Sequence, residues 1–295
     1  MRKRSPVGVA LSYLWKTPLC ALAYVAGTAI GGPIVAGLNL ELPKLPPGTD
    51  AKGLGTSALV AALLFAPCLG PLAGGIQGGF FSRWLVLAAL TYISLGLNVA
   101  IESAIFSTLG GTEGMIALFI LPSVFLAAAL ALLFPPEARG DSFRGSASRY
   151  RASRSTPDRT WRLLAAIAAF PAVYFLFGMC VGPFVAKHYT LGEYGLRLPA
   201  VGDIIRVQFA RSTLFVLATL PVLIMWSGRK RQLVPALGLA LYVLVGLSGL
   251  VQAYWLPLTL RAPHALEILA DSLVHAWVLV ALLGKREQNQ EPAPG

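Results

Sequence analysis

Residues 114–135 read Gly-Met-Ile-Ala-Leu-Phe-Ile-Leu-Pro-Ser-Val-Phe-Leu-Ala-Ala-Ala-Leu-Ala-Leu-Leu-Phe-Pro, 22 residues without one charged side chain. A helix of that length rises about 33 Å, enough to cross the hydrocarbon of a bilayer. Comparable apolar blocks occupy 17–40, 55–80, 84–108, 162–187, 207–227, 233–257 and 264–284. The whole chain of 295 residues is 56% hydrophobic and 13% charged. A soluble domain carries about 25% charged residues, so the polar surface here is too scarce for a water-soluble enzyme. Disorder is excluded by the same hydrophobicity. The expected fold class is all-α: a polytopic membrane bundle of about eight transmembrane helices.

The formal net charge is +11. In a soluble domain that balance would point to nucleic acid. In this composition it points instead to basic loops on the cytoplasmic side, and no nucleic-acid partner is expected. If the N-terminus is cytoplasmic, 17 of the 24 Lys and Arg fall on that side. They include Arg2, Lys3, Arg4, Arg83, seven arginines between the fourth and fifth spans, and Lys230. Trp15, Trp84, Trp161 and Trp226 fall near the same ends of their spans, as an interfacial belt does. The expectation is a multi-pass protein of a bacterial-type plasma membrane, with both termini cytoplasmic. The apolar run after Arg2–Arg4 is longer than a signal-peptide core, so it is read as a retained first helix.

Four segments follow: a four-helix membrane repeat at 1–136, an Arg/Ser-rich cytoplasmic connector at 137–161, a second four-helix repeat at 162–284, and a cytoplasmic tail at 285–295. The connector reads as flexible. The repeat rests on matches 150 positions apart: Gly32-Pro33 with Gly182-Pro183, Tyr92, Gly96 and Leu97 with Tyr242, Gly246 and Leu247, and Ala131-Leu132-Leu133 with Ala281-Leu282-Leu283. Four spans per unit return the chain to one side, so the two tandem repeats would run parallel. Prolines inside spans read as kinks. The Gly70, Gly74, Gly78 and Gly27, Gly31 stripes read as close helix contacts. The stretch at 70–79 lacks the Lys-Ser/Thr of a phosphate-binding loop. Cys20, Cys68 and Cys180 read as small buried hydrophobes.

Ionisable groups inside a membrane need a partner or a function. The last span carries four at spacings of 3, 4 and 4: His264, Glu267, Asp271 and His275. They share one helical face. The matching positions of the first repeat are Gly114, Ala117, Leu121 and Phe125, so the stripe is confined to one repeat. By depth, Asn98 and Glu102 on the third span, Gln208 and Arg211 on the sixth, and Ser248 and Gln252 on the seventh reach the same outer half. The candidate ligand or proton pathway is therefore Asn98, Glu102, Arg211, Gln252, Glu267, Asp271 and His275, around an outward-facing polar cavity. Arg211 is the natural counter-ion of Glu267 or Asp271. His275 is a proton relay.

The leading functional expectation is an integral membrane protein that binds or moves a small polar or ionic solute, with proton coupling as one form. One alternative is a membrane-embedded hydrolase or transferase with a metal on His264, Glu267, Asp271 or His275. Histidine and carboxylate donors suit zinc or manganese, but no HExxH stands in the chain. The other is a non-catalytic subunit in which these residues hold helices together. The span count resembles that of intramembrane CAAX-type proteases. Their paired glutamates and downstream histidine motifs have no match, so their activity is not carried over. No cofactor and no oligomeric state are read from the chain. Beyond the solute, the bilayer is the one partner expected.

Overall fold

The computed structural model describes residues 6–46, 49–136 and 140–285. Among the described residues, eight helices are long and apolar enough to cross a membrane: α1 (Val7–Gly37), α2 (Ala51–Gly75), α3 (Phe80–Phe106), α4 (Thr112–Leu133), α5 (Thr156–Thr190), α6 (Val201–Met225), α7 (Lys230–Gln252) and α8 (Leu258–Leu283). No strand forms among the described residues. The chain is an all-α, polytopic integral membrane protein.

Several ends lie beyond the apolar blocks. α5 starts at Thr156 because Ser155 caps it, its hydroxyl accepting from the Asp158 amide. α8 starts at Leu258 rather than near His264, and Pro263 sits within its early turns. Two prolines mark breaks. The α2 ladder is interrupted at Leu64, before Pro67, and the α4 ladder at Phe119, before Pro122, as a missing amide and a ring clash dictate. Pro171 and Pro221 pass inside unbroken helices.

The two halves pack alike. α1 lies along α4 and α5 along α8, while α3 packs on α4 and α7 on α8. Across the halves, α2 meets α7 and α6 meets α3. A π-turn interrupts α3 at Tyr92–Leu97, and another interrupts α7 at Val243–Leu247. At the junction, Ile76 and Trp226, 150 positions apart, form an antiparallel bridge. The Gln77 amide donates to Met225 O (2.9 Å) and the Ser227 amide to Gly75 O (3.0 Å). Each partner is the other's counterpart at the same offset, so the bridge has the form of a two-fold contact between the halves.

Close approach explains two of the glycines. A Cβ on Gly27 would lie 2.6 Å from the Pro122 backbone, so α1 and α4 touch there. A Cβ on Gly75 would lie 2.0 Å from the Trp226 ring. The stretch at 70–79 is thus packed against protein.

Helix carbonyls at the basic face (the end of the bundle that carries the connector) are met by cations. Buried Arg83 donates to Ala73 O, Ile76 O and Ala131 O at 2.7–3.0 Å, and also to Phe134 O. In the second half, Leu233 stands in its place. There Lys285 donates to Trp226 O (2.9 Å) and Arg154 to Gly284 O (2.7 Å). The same last turns are capped by different side chains. The connector, expected to be flexible, instead folds over Phe143–Ala152 as a helix capped by Ser142, with Ser146 and Tyr150 buried.

A clean packing test follows. Gly75→Ala should destabilise the protein by about 1–3 kcal/mol through the clash with Trp226. Gly74→Ala, where a Cβ meets nothing within 4 Å, should be neutral or stabilising. Thermal unfolding in detergent compares the two.

Candidate functional site

The site lies between α3, α5, α6, α7 and α8, from the middle of the bundle toward the far face. Arg211 is its centre and is 3% exposed. Its guanidinium Nε donates to Asn98 Oδ1 (2.8 Å), one terminal nitrogen donates to Gln208 Oε1 (3.0 Å), and the other pairs with Glu102. Asn98 passes the contact on, donating from Nδ2 to Val245 O (3.1 Å), inside the π-turn of α7. One chain of polar contacts therefore runs from α6 through α3 to α7. The Glu102 side chain is 38% exposed and is the edge of the cluster.

Aromatic rings wall the guanidinium. Its carbon lies 5.5–5.9 Å from the centroids of Phe170, Tyr174 and Phe215. Phe170 and Phe215 also flank His275, at 5.0 and 6.2 Å. The helical spacing of Phe170 and Tyr174, and of Arg211 and Phe215, was the available sequence signal for this box.

On α8 the stripe faces inward: Glu267, Asp271 and His275 are all buried. His264 Nδ1 meets Glu267 Oε2 (2.7 Å), and its Nε2 meets the Tyr189 hydroxyl (3.2 Å). Gly178 leaves room for the carboxylate: a Cβ there would stand 3.5 Å from Glu267 Oε1. Asp271 lies one turn from Glu267 on the same face of α8. Tyr174 stands beside Arg211, its ring centroid 5.9 Å from the guanidinium carbon.

The hydrogen-bond account does not close. Asp271 Oδ1, both ring nitrogens of His275 and Gln208 Nε2 are buried without a partner. Each such atom costs about 1–3 kcal/mol unless something absent from the fold satisfies it.

Placement differs from expectation in three respects. Asn98, Glu102, Arg211, Glu267, Asp271 and His275 do gather around one region, but Arg211 pairs with Glu102 rather than directly with Glu267 or Asp271. Gln252 stands apart: its side chain folds back to Ser248 O (3.2 Å), and its carbonyl accepts from Ser57 of α2. It is Glu102's counterpart on the other side of the junction, where Ala61 replaces Arg211. Asp271 stands half-way along the 26-residue α8, because that helix starts six residues earlier than the block at 264–284.

The metal alternative gains no support from geometry. Among the described residues, no three His, Cys, Asp or Glu converge on a metal position. His264 and Glu267 engage each other, and His275 is turned between two phenylalanines.

No protein-family model, no curated protein and no solved structure matches this chain.

Burial makes the Arg211–Glu102 pair asymmetric. Glu102→Leu strands a buried guanidinium and should cost about 3–5 kcal/mol. Arg211→Leu leaves a carboxylate that reaches the surface, and should cost less. The double variant should be more stable than Glu102→Leu alone, a reversal that unfolding measurements on the three proteins resolve.

Proposed function

We propose that this protein binds and moves a small polar or ionic solute across the membrane at the Arg211–Asp271–His275 cluster, with the far face as the outer side. The observation that carries the reading is the set of buried polar atoms without partners: Asp271 Oδ1, His275 Nδ1 and Nε2, and Gln208 Nε2. Residues that merely hold helices together satisfy one another, as Arg211, Asn98 and Glu102 do. These do not; His188 Nε2, Arg261 Nε and five hydroxyls elsewhere in the bundle are also buried without a partner, and what sets these four atoms apart is that they fall together on the packed helices α6 and α8.

Charge bookkeeping narrows the solute. Arg211 is matched by Glu102, while Glu267 meets His264, which carries a charge only when protonated. Asp271 is left over, so the cluster favours a proton or another cation at that carboxyl. The solute is therefore cationic, or is carried with a proton, and His275 is placed one turn deeper to relay it. Glu102, at the exposed edge, is the entry side. The side chains inward of it are closed over in this conformation, Gln208 at 0% and His275 at 2% exposure, so passage requires movement of the two halves. Parallel repeats that arose by duplication, rocking about their junction, supply such a motion. The basic residues at the connector face favour both termini in the cytoplasm.

A second reading has one observation in its favour. The Arg211 guanidinium is satisfied on all three nitrogens, as a structural staple would be, which fits a non-catalytic subunit. The two separate at Asp271. In proteoliposomes with an imposed pH gradient, Asp271→Asn should abolish cation- or proton-dependent flux while the unfolding temperature is kept. Unchanged flux in Asp271→Asn, with loss only in Arg211 variants that also unfold, sinks the solute pathway and leaves the staple.

A further inference from the structure

A second polar site lies at the opposite end of the bundle. A cavity of about 590 Å³ opens where the connector meets α5, α7 and α8, lined by Arg154, Arg162, Lys230, Asp158 and Ala281 among others. That volume falls in the range of small-molecule sites. Three cations face it and one carboxylate answers them. Asp158 takes Arg162 Nε at 2.8 Å and stands 3.7 Å from Arg154 Nε. The Arg154 side chain is only 6% exposed and is held in place by its bond to Gly284 O. Arg162 also reaches Leu282 O (3.3 Å). Lys230 makes no hydrogen bond or ion pair among the described residues. Convergent like charges repel, so an excess of two positive charges around one cavity makes an anion a favourable occupant.

The wall formed by α8 says which anion. Ala281 is exposed, and Trp277, one turn along the same face, is 60% exposed. An apolar, lipid-facing strip thus leads directly out of the cationic cavity. Trp161, exposed in the first turns of α5, marks the interfacial level beside it. A ligand that uses both features has an anionic phosphate head and a hydrocarbon chain.

We propose that this cavity is a binding site for the phosphodiester headgroup of an anionic phospholipid, with Arg154, Arg162 and Lys230 on the phosphate and an acyl chain along Ala281 and Trp277. The site would fasten the connector to the membrane surface and tie α5 to α8 at that end.

The test uses the full chain in detergent, titrated with phosphatidylglycerol, phosphatidylcholine or inorganic phosphate, with bound lipid counted by native mass spectrometry. Phosphatidylglycerol should be retained and phosphatidylcholine lost. Lys230→Gln, which removes no contact from the fold, should weaken phosphatidylglycerol binding about tenfold, as loss of one charge-assisted contact does. Ala281→Asp, at an exposed position, should weaken it too by placing a carboxylate in the mouth. Equal retention of the two lipids, or no change in both variants, overturns the proposal. So does displacement of phosphatidylglycerol by inorganic phosphate at equal concentration, which would make the site one for the free anion.

Discussion

Hydrocarbon offers no hydrogen bonds, and this one constraint accounts for most of what the charged residues do. A helix end in such a medium must find its own donors for the last carbonyls. Arg83 supplies them for α2 and α4, Lys285 and Arg154 for α6 and α8, and Arg197 for α3 through Ile105 O (2.8 Å) and Ala104 O. These cations complete the backbone ladder where helices stop. Arg211 is different. It sits mid-way along α6, far from any helix end, and its partners are side chains of α3 and of its own helix. A guanidinium placed there adds nothing to a ladder that is already complete, so its cost needs another reason.

The comparison of the two halves isolates that reason. Backbone features recur at the same offset: the π-turns, the Gly75–Gln77 and Met225–Ser227 bridge, and the glycines Gly96 and Gly246 pressed on α4 and α8. The polar side chains do not recur. Ala61 stands opposite Arg211, Leu121 opposite Asp271 and Phe125 opposite His275. The first half therefore makes the same helix contacts without counterparts of Arg211, Asp271 and His275, and it supplies Asn98 and Glu102 to the cluster from across the junction. Folding alone does not call for the cluster, which is why the charge points to a role beyond stability.

Much of the architecture was legible in the sequence because the bilayer imposes a length, and 22 uncharged residues in a row have few other uses. The α8 stripe was legible for a similar reason, since a period near 3.6 places His264, Glu267, Asp271 and His275 on one face whatever the neighbours are. Partners were harder to read. Depth along a helix orders residues by height but leaves their bearing around it open. Gln252 and Glu102 share a height and a position within their halves, yet they lie on opposite sides of the junction. The role of Arg83 was hidden for a different reason: positive-inside bias accounts for a basic residue at that end without asking which carbonyls it meets. The connector helix was hidden because a composition rich in Arg and Ser reads as a solvated linker. The Ser142 cap and the inward-facing Tyr150 were visible only as single residues.

The π-turns connect these strands of the argument. A π-turn costs helix hydrogen bonding and persists where it serves a local purpose. In α7 that purpose is visible, since Val245 O, within the turn, receives Asn98, and Asn98 in turn holds Arg211. The two π-turns also touch each other across the halves. Any shift of α7 against α3 must therefore move the carbonyl that Asn98 holds, and with it the Arg211 guanidinium that Asn98 orients. A displacement of the halves at their junction is coupled through two contacts, Val245 O with Asn98 and Asn98 with Arg211, to the position of the buried guanidinium. That coupling is what a solute pathway closed by side chains requires, and the backbone irregularity that transmits it is present in both halves, while Arg211, Asp271 and His275 have no counterpart in the first.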